Sequence, residues 1–311
     1  MFAPNSLPHA SMMYEDDSLL DLSCDEDLLA LGHLDDTPQL MMDATADLVA
    51  ELMRREQVHR PDAAYLSTVQ RDGMDASWRV RIAAWMVAVA TEFHFADETM
   101  DLAVNYLDRY LSTMSVSQHD LQLVGLVALL IASKFHEPDA LLVAEAVNLA
   151  QLAGFTGPMI RTMETSMLRV LEWNLHVVVP THFVDCFVAD LNYSSGRTLR
   201  DACQPFLAAS RVSHEALAFL PSQVAAAVVT LACQCTHDVA SPPPLKSSSQ
   251  LFEINATQVD LCRRHLLQHC EPERSSMKRD RSPSPLGVDD LVDESARFCP
   301  LVVKRPKCQV L

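Results

Sequence analysis

Fifteen consecutive residues, Leu121 to Phe135 (LQLVGLVALLIASKF), are apolar on nearly every side of a helix. A bilayer span needs about 20 such residues, and Gln122 and Lys134 interrupt this run, so it is too short and too polar to cross a membrane. A helix without a polar face must be enclosed by other helices. The sequence supplies them. In Met100 to Leu111, residues Ala103, Leu107 and Tyr110 share one face, with Leu102, Tyr106 and Leu111 widening it. Strand signals are nearly absent. Seven glycines in 311 residues form neither GxGxxG nor GxxxxGK[ST], which excludes the usual nucleotide-cradling loops. The expected class is all-α.

Punctuation divides the chain. Glu137-Pro138 stops the apolar helix, because a residue before proline avoids the helical region. A further helix is expected from Pro158 to about Trp173, with Ile160, Met163, Met167, Val170 and Leu171 on one side. After Val177–Pro180, Thr181 is a candidate cap for a helix running to Asp190. Helices are then expected over Arg197–Ser210, Pro221–Cys235 and Asn255–Cys270. Helical periodicity begins near Ala44. The reading is an arm over 1–42, a helical module over 43–180, a second over 181–270 and a flexible tail over 271–311.

Charge is uneven. The net charge is −17, and the first 51 residues hold twelve acidic residues with no Lys or Arg. Such a composition reads as a disordered acidic arm. The negative field disfavours direct nucleic-acid binding. Nine scattered cysteines, with no cationic and apolar leader at the N-terminus, read as reduced thiols in a nuclear or cytoplasmic protein.

The runs Trp78–Phe95 (WRVRIAAWMVAVATEFHF), Leu102–Ser112 (LAVNYLDRYLS), Leu121–Glu137 (LQLVGLVALLIASKFHE) and Met163–Leu175 (METSMLRVLEWNL) resemble a cyclin box over roughly residues 60 to 190. The second half resembles the cyclin C-terminal fold in helix count and order. Leu22-Ser23-Cys24-Asp25-Glu26 resembles the N-terminal LxCxE of D-type cyclins, of plant or algal kind. The resemblance implies two tandem five-helix cyclin-fold modules and no enzyme activity of the chain's own. The implied role is that of a regulatory subunit of a cyclin-dependent protein kinase acting at the G1/S transition.

Its hallmark positions carry over one by one. Arg79 and Asp108 match a buried ion pair, although on residue type alone they read as surface charges, since Arg and Asp are seldom fully buried. Leu123 matches a packing leucine of the central helix. Lys134, whose bland reading is a cation at a helix C-terminus, and Glu164, an awkward carboxylate among Met163, Met167, Leu168 and Leu171, match the pair that hydrogen-bonds the kinase backbone. Phe135 and Trp173 belong to the apolar surface beside them. The substrate-docking patch of mitotic cyclins would comprise Trp78, Arg81, Ile82, Trp85, Ala88, Leu121 and Gln122. Here Arg81 stands for an apolar residue and Ala88 for an acid, so docking of basic motifs is not expected. The rival reading is a cyclin-fold scaffold or transcription regulator that does not act through a cell-cycle kinase.

In an extended strand Leu22, Cys24 and Glu26 point to one side, two apolar anchors and a carboxylate. By resemblance they enter the groove of a retinoblastoma-type pocket protein. Thr37-Pro38, Ser282-Pro283 and Ser284-Pro285 are candidate proline-directed phosphorylation sites. Lys304-Arg305-Pro306-Lys307 reads as a nuclear-import patch. Cys308-Gln309-Val310-Leu311 also fits a prenylation box at Cys308, but a membrane address conflicts with pocket-protein binding. Cys233, Cys235 and His237, or Cys262, His265, His269 and Cys270, fit no common zinc spacing. Neither metal nor cofactor is expected.

Overall fold

The computed structural model describes residues 37–71, 74–150, 153–191, 196–236 and 254–270. Among them the regular elements are helices: α1 (Thr37–Arg55), α2 (Tyr65–Thr68), α3 (Ala76–Glu92), α4 (Asp97–Leu111), α5 (Gln118–His136), α6 (Val143–Leu149), α7 (Gly157–Val170), α8 (Pro180–Asp190), α9 (Gly196–Val212), α10 (Pro221–Thr236) and α11 (Ala256–Cys270). A 3₁₀ turn over Glu215–Ala218 joins α9 to α10. No described helix is long and apolar enough to cross a membrane.

The local chemistry explains the boundaries. Asp75 caps α3 by accepting from the backbone N–H of Ser77 (2.8 Å) and Trp78 (3.3 Å). Ser117 caps α5 through the N–H of Asp120. Pro158 and Pro180 stand in the first turns of α7 and α8, where a missing N–H leaves no bond unmade. Pro38 does the same at the start of α1, which begins at Thr37 rather than near Ala44.

Two cores result. In the first, α5 runs through the middle of α2, α3, α4, α6 and α7, burying twelve of its residues. The sequence's apolar-all-round helix is thus the axis of a bundle, and Leu123 is buried in it. Gly125 permits the closest approach: a Cβ there would stand 2.8 Å from Ile82. In the second core α10 takes the same central place among α8, α9 and α11. Its other members include Val49, Ala46, Leu52 and Met53 of α1. Most of α1 falls within 43–180, the stretch read as the first module, yet its apolar face packs into the second core.

Scarce glycine shows at the helix ends. α3 and α7 both finish in a Schellman motif, with bonds from His94 N–H to Thr91 and Phe95 N–H to Ala90, and from Glu172 N–H to Arg169 and Trp173 N–H to Leu168. The left-handed position, usually glycine, is His94 (φ 57°) in one and Glu172 (φ 53°) in the other.

The modules meet through charged groups. Arg79 of α3 pairs with Asp108 of α4 at 2.7 Å, both buried. Burial works against the Arg79 charge, and Asp108 outweighs it. The same guanidinium donates to the carbonyls of Arg211 (2.7 Å) and Val212 (2.6 Å) at the end of α9. Arg211 returns a 2.6 Å bond to Asp101 of α4. Thr181 does not cap α8, whose N-cap is Val179; its hydroxyl and N–H both turn to Asp101. The hydroxyl has a buried carboxylate within reach, a stronger acceptor interaction than a local cap offers.

Candidate functional site

The site begins with the end of α5. Ser133 is buried, donates to the carbonyl of Leu130 and accepts the N–H of Leu141 at 3.1 Å, which folds the chain after the helix back against it. Glu137 ends the helix in an extended conformation and binds the N–H of Ala96 and the hydroxyl of Thr99. Between these anchors Lys134, Phe135 and His136 project outward.

α7 packs beside α5 and brings Glu164 to Lys134. The Nζ donates to Glu164 Oε1 at 2.6 Å, with the two side chains 42% and 18% exposed. An ammonium has three donors and a carboxylate two oxygens, so the pair retains capacity for a partner's backbone groups. An exposed pair of this kind adds only about 0–1 kcal/mol to folding. Its placement among apolar side chains is therefore poorly explained by stability.

Those side chains are large. Phe135 is 44% and Trp173 69% exposed. Leu142 and Met159, on the flanking α6 and α7 segments, are exposed as well. The ring of Phe135 meets that of His176 edge-on, 6.4 Å between centroids. Trp173 stands outside because Glu172 and Trp173 itself (φ 59°) both take left-handed conformations, which swing the chain away from the α7 axis.

Two residues of α4 hold this turn. The Tyr106 hydroxyl donates to the carbonyl of Leu175 at 2.6 Å. Arg109 donates to the carbonyls of Asn174 (2.8 Å) and Leu171 (3.2 Å). Burial lowers the Arg109 pKa and raises that of Tyr106. Neither residue, nor His176, stands out in the sequence; the only signal was a Tyr and an Arg on an otherwise apolar helix stripe.

The structure thus joins Lys134 to Glu164 beside Phe135, and it exposes Trp173 on the turn after α7, where His176 reaches the Phe135 ring. Arg79 and Asp108 lie apart from them, at the junction of the modules. The patch read from the sequence as a docking surface is only partly surface, because Ile82 and Leu121 are buried. Ile82 is the residue that fills the space over Gly125. Arg81 stacks on Trp78, its guanidinium 4.4 Å from the ring centroid. Cys233 and Cys262 are buried in the second core, and burial pushes the Cys262 thiol up to about 12. Among the described residues no group of three His, Cys, Asp or Glu could hold a metal ion. Thr37 opens α1. Leu22, Cys24, Glu26, Ser282, Ser284 and Cys308 lie outside the described residues.

Comparison with known proteins matches both halves of the chain. The profile of the cyclin N-terminal domain covers residues 47–176 and that of the cyclin C-terminal domain residues 178–283. Cyclin-D2-2 of Oryza sativa subsp. japonica is 30% identical over 188 residues, 59% of this chain and 53% of its own length. Cyclin-A1-2 of Arabidopsis thaliana is 30% identical over 247 residues, 77% of this chain and 54% of its own. The G2/mitotic-specific cyclin-B2 of Rana japonica is 33% identical over 202 residues, 63% and 48% respectively. The chain spans about half the length of these relatives. Among solved structures, a viral cyclin from herpesvirus saimiri shares the fold with a TM-score of 0.64 at 18% identity, over 72% of this chain and 96% of that one. A chain of the yeast RNA Pol II CTD kinase CTDK-1 complex does so with a TM-score of 0.54 at 14% identity, over 76% and 81%. With two tandem helical modules, each matched by the corresponding domain profile, the chain belongs to the cyclin family.

Proposed function

We propose that the chain is the regulatory subunit of a cyclin-dependent protein kinase and activates it without chemistry of its own. The carrying observation is the Lys134–Glu164 pair, joined at 2.6 Å and partly open to solvent, with exposed Phe135 next to it on α5 and exposed Trp173 on the turn after α7. A kinase is active when the Lys–Glu pair of its αC helix is formed, which depends on where αC sits. A rigid patch that binds only the inward αC raises the population of that state by its differential affinity. Apolar side chains supply the desolvated setting, and the ion pair supplies donors and acceptors for the kinase backbone. Membership of a CTD kinase complex by a chain of the same fold accords with this reading.

Lys134→Ala and Glu164→Ala should each weaken association with a recombinant cyclin-dependent kinase by tenfold or more, since truncating a charged group in a buried interface costs about 2–5 kcal/mol. Thermal melting should hardly move. Unchanged affinity in both variants defeats the assignment.

The finer reading is a D-type cyclin of the G1/S transition, nuclear by virtue of Lys304–Lys307. Its support is Leu22-Ser23-Cys24-Asp25-Glu26 within an acidic stretch, suited to a groove with a basic rim. A peptide of residues 18–30 should bind a retinoblastoma-type pocket protein and lose that binding with Cys24→Ala. A pocket protein that takes a control LxCxE peptide but not this one removes the claim.

A further inference from the structure

The first turn of α4 is where the two modules exchange charge. Asp97 accepts from Gln204 (2.6 Å) and Arg211 (3.2 Å), and Asp101 accepts from Arg211 and Thr181. All of these donors belong to the second module. Glu98, between the two aspartates, differs from them. Its Oε1 stands 2.9 Å from Nε2 of His182 on α8 and 3.5 Å from Nδ1 of His136 on α5. One oxygen is thus shared by the second module and by the helix end that carries Lys134 and Phe135.

The ring of His182 is fixed by its other nitrogen. Nδ1 receives the backbone N–H of Val179 at 3.3 Å, and an N–H can only donate. Nδ1 is therefore the nitrogen without a hydrogen, and Nε2 carries one and donates it to Glu98. Local explanations cover the parts. An acid in the first turn of α4 and a histidine in the last turn of α5 both suit the helix dipoles. His182 closes the first turn of α8 by taking the Val179 N–H. None of these accounts for three helices converging on one oxygen. Next to His136, Glu137 takes the N–H of Ala96 (2.7 Å) and the hydroxyl of Thr99 (2.5 Å), so the end of α5 is tied to the start of α4 twice. Glu98, His136 and His182 are 30%, 30% and 19% exposed, which shields their contacts from salt.

We infer that His136, Glu98 and His182 form a brace between the modules and act as positioning residues for partner binding. The second module, through His182, holds Glu98, and Glu98 holds His136. His136 in turn fixes the direction in which the end of α5 presents Lys134 and Phe135. This rests on the kinase-partner reading above, but neither Glu98 nor His182 has to touch the kinase. With the brace intact, the end of α5 is ordered before the partner arrives. With it cut, that ordering falls to the association step and is subtracted from affinity. The second module thereby sets how tightly a patch on the first one binds.

The test titrates the full chain and its variants into a recombinant cyclin-dependent kinase by calorimetry, with melting temperatures confirming that each variant folds. Two replacements separate the nitrogens of His182. His182→Asn keeps an acceptor where Nδ1 stands and loses the donor to Glu98, whereas His182→Gln keeps the donor and loses the acceptor. His182→Asn and Glu98→Ala should each weaken binding about three- to thirtyfold, the span for residues that act through a neighbour. Their effects should not add in the double variant, because both cut one link. His182→Gln should recover most of the loss. In the chain without kinase, amide hydrogen exchange over residues 134–137 should quicken in His182→Asn and not in His182→Gln. If Lys134→Ala weakens binding while His182→Asn and Glu98→Ala bind as the parent does, the brace is overturned and the kinase reading stands. Equal loss in His182→Gln and His182→Asn overturns the brace as well, since the first turn of α8 would then be the cause. Parental exchange over 134–137 in His182→Asn also overturns it. If Lys134→Ala, Glu164→Ala and His182→Asn all bind as the parent, the kinase reading fails and the positioning role fails with it.

Discussion

His214 packs its ring edge-on against Tyr65, 5.2 Å between centroids, beside the Arg79–Asp108 pair. Its Nδ1 is buried, and a backbone interaction with Ala63 favours the charged ring only weakly. Burial first, and Arg79 second, lower its pKa below the usual histidine value. The unfolded chain therefore takes up this proton at higher pH than the folded one. Stability from this group is complete above about pH 6.5 and falls as pH drops through that value towards the lower folded one, by at most about 1.4 kcal/mol per pH unit. Replacing His214 with Phe keeps a ring against Tyr65 and removes the proton. Urea midpoints measured from pH 7.5 to 5.5 should decline less in this variant than in the parent; parallel curves would show that His214 does not titrate in the window. At this scale the sequence disclosed Lys134 and Glu164 because charged residues in apolar surroundings are conspicuous. Tyr106 and Arg109 stayed hidden, since what they bind are backbone carbonyls, and no residue name marks a carbonyl that needs a donor.

Helix extents were legible wherever an apolar stripe met proline or a polar cap, as in α5, α7 and α10. The turns between them were less so. Thr181 has the right residue type for a cap, but a buried carboxylate 80 positions earlier in the sequence claims it. The end of α7 shows a second kind of hidden information. Nothing in Leu171-Glu172-Trp173 signals a left-handed pair, since glycine is the usual mark and this chain has few. A non-glycine residue in that conformation costs about 1–2 kcal/mol. Glu172→Gly should recover part of this, about 1 kcal/mol after the greater chain entropy of glycine is offset, seen as a higher urea midpoint with an unchanged slope. A lower midpoint would mean that the turn is held without strain. The tension sits where the exposed tryptophan is presented, a common location for strained backbone.

At the scale of the molecule, periodicity and punctuation conveyed two helical modules, and the cyclin-like runs conveyed the first in detail. What they could not convey is how the modules are joined. Arg79 was legible as half of an ion pair, but its grip on the carbonyls of α9 belongs to an element more than 100 residues away. Likewise, Ala46, Val49, Leu52 and Met53 fall in the stretch read as the first module, but their side chains join the second core. Glu56, just past that helix, receives the N–H and hydroxyl of Ser222 at 2.9 Å each and so caps α10. Its carboxyl is pushed above the usual range by burial. The first described helix is thereby stitched to the last ones. On the ribosome this imposes a delay. Val49 emerges roughly 200 residues before Leu266, its companion in the second core, which at about 5–20 residues per second leaves a greasy stripe uncovered for on the order of 10–40 s. Throughout that interval the nascent protein offers chaperones and proteases a handle that the finished one conceals.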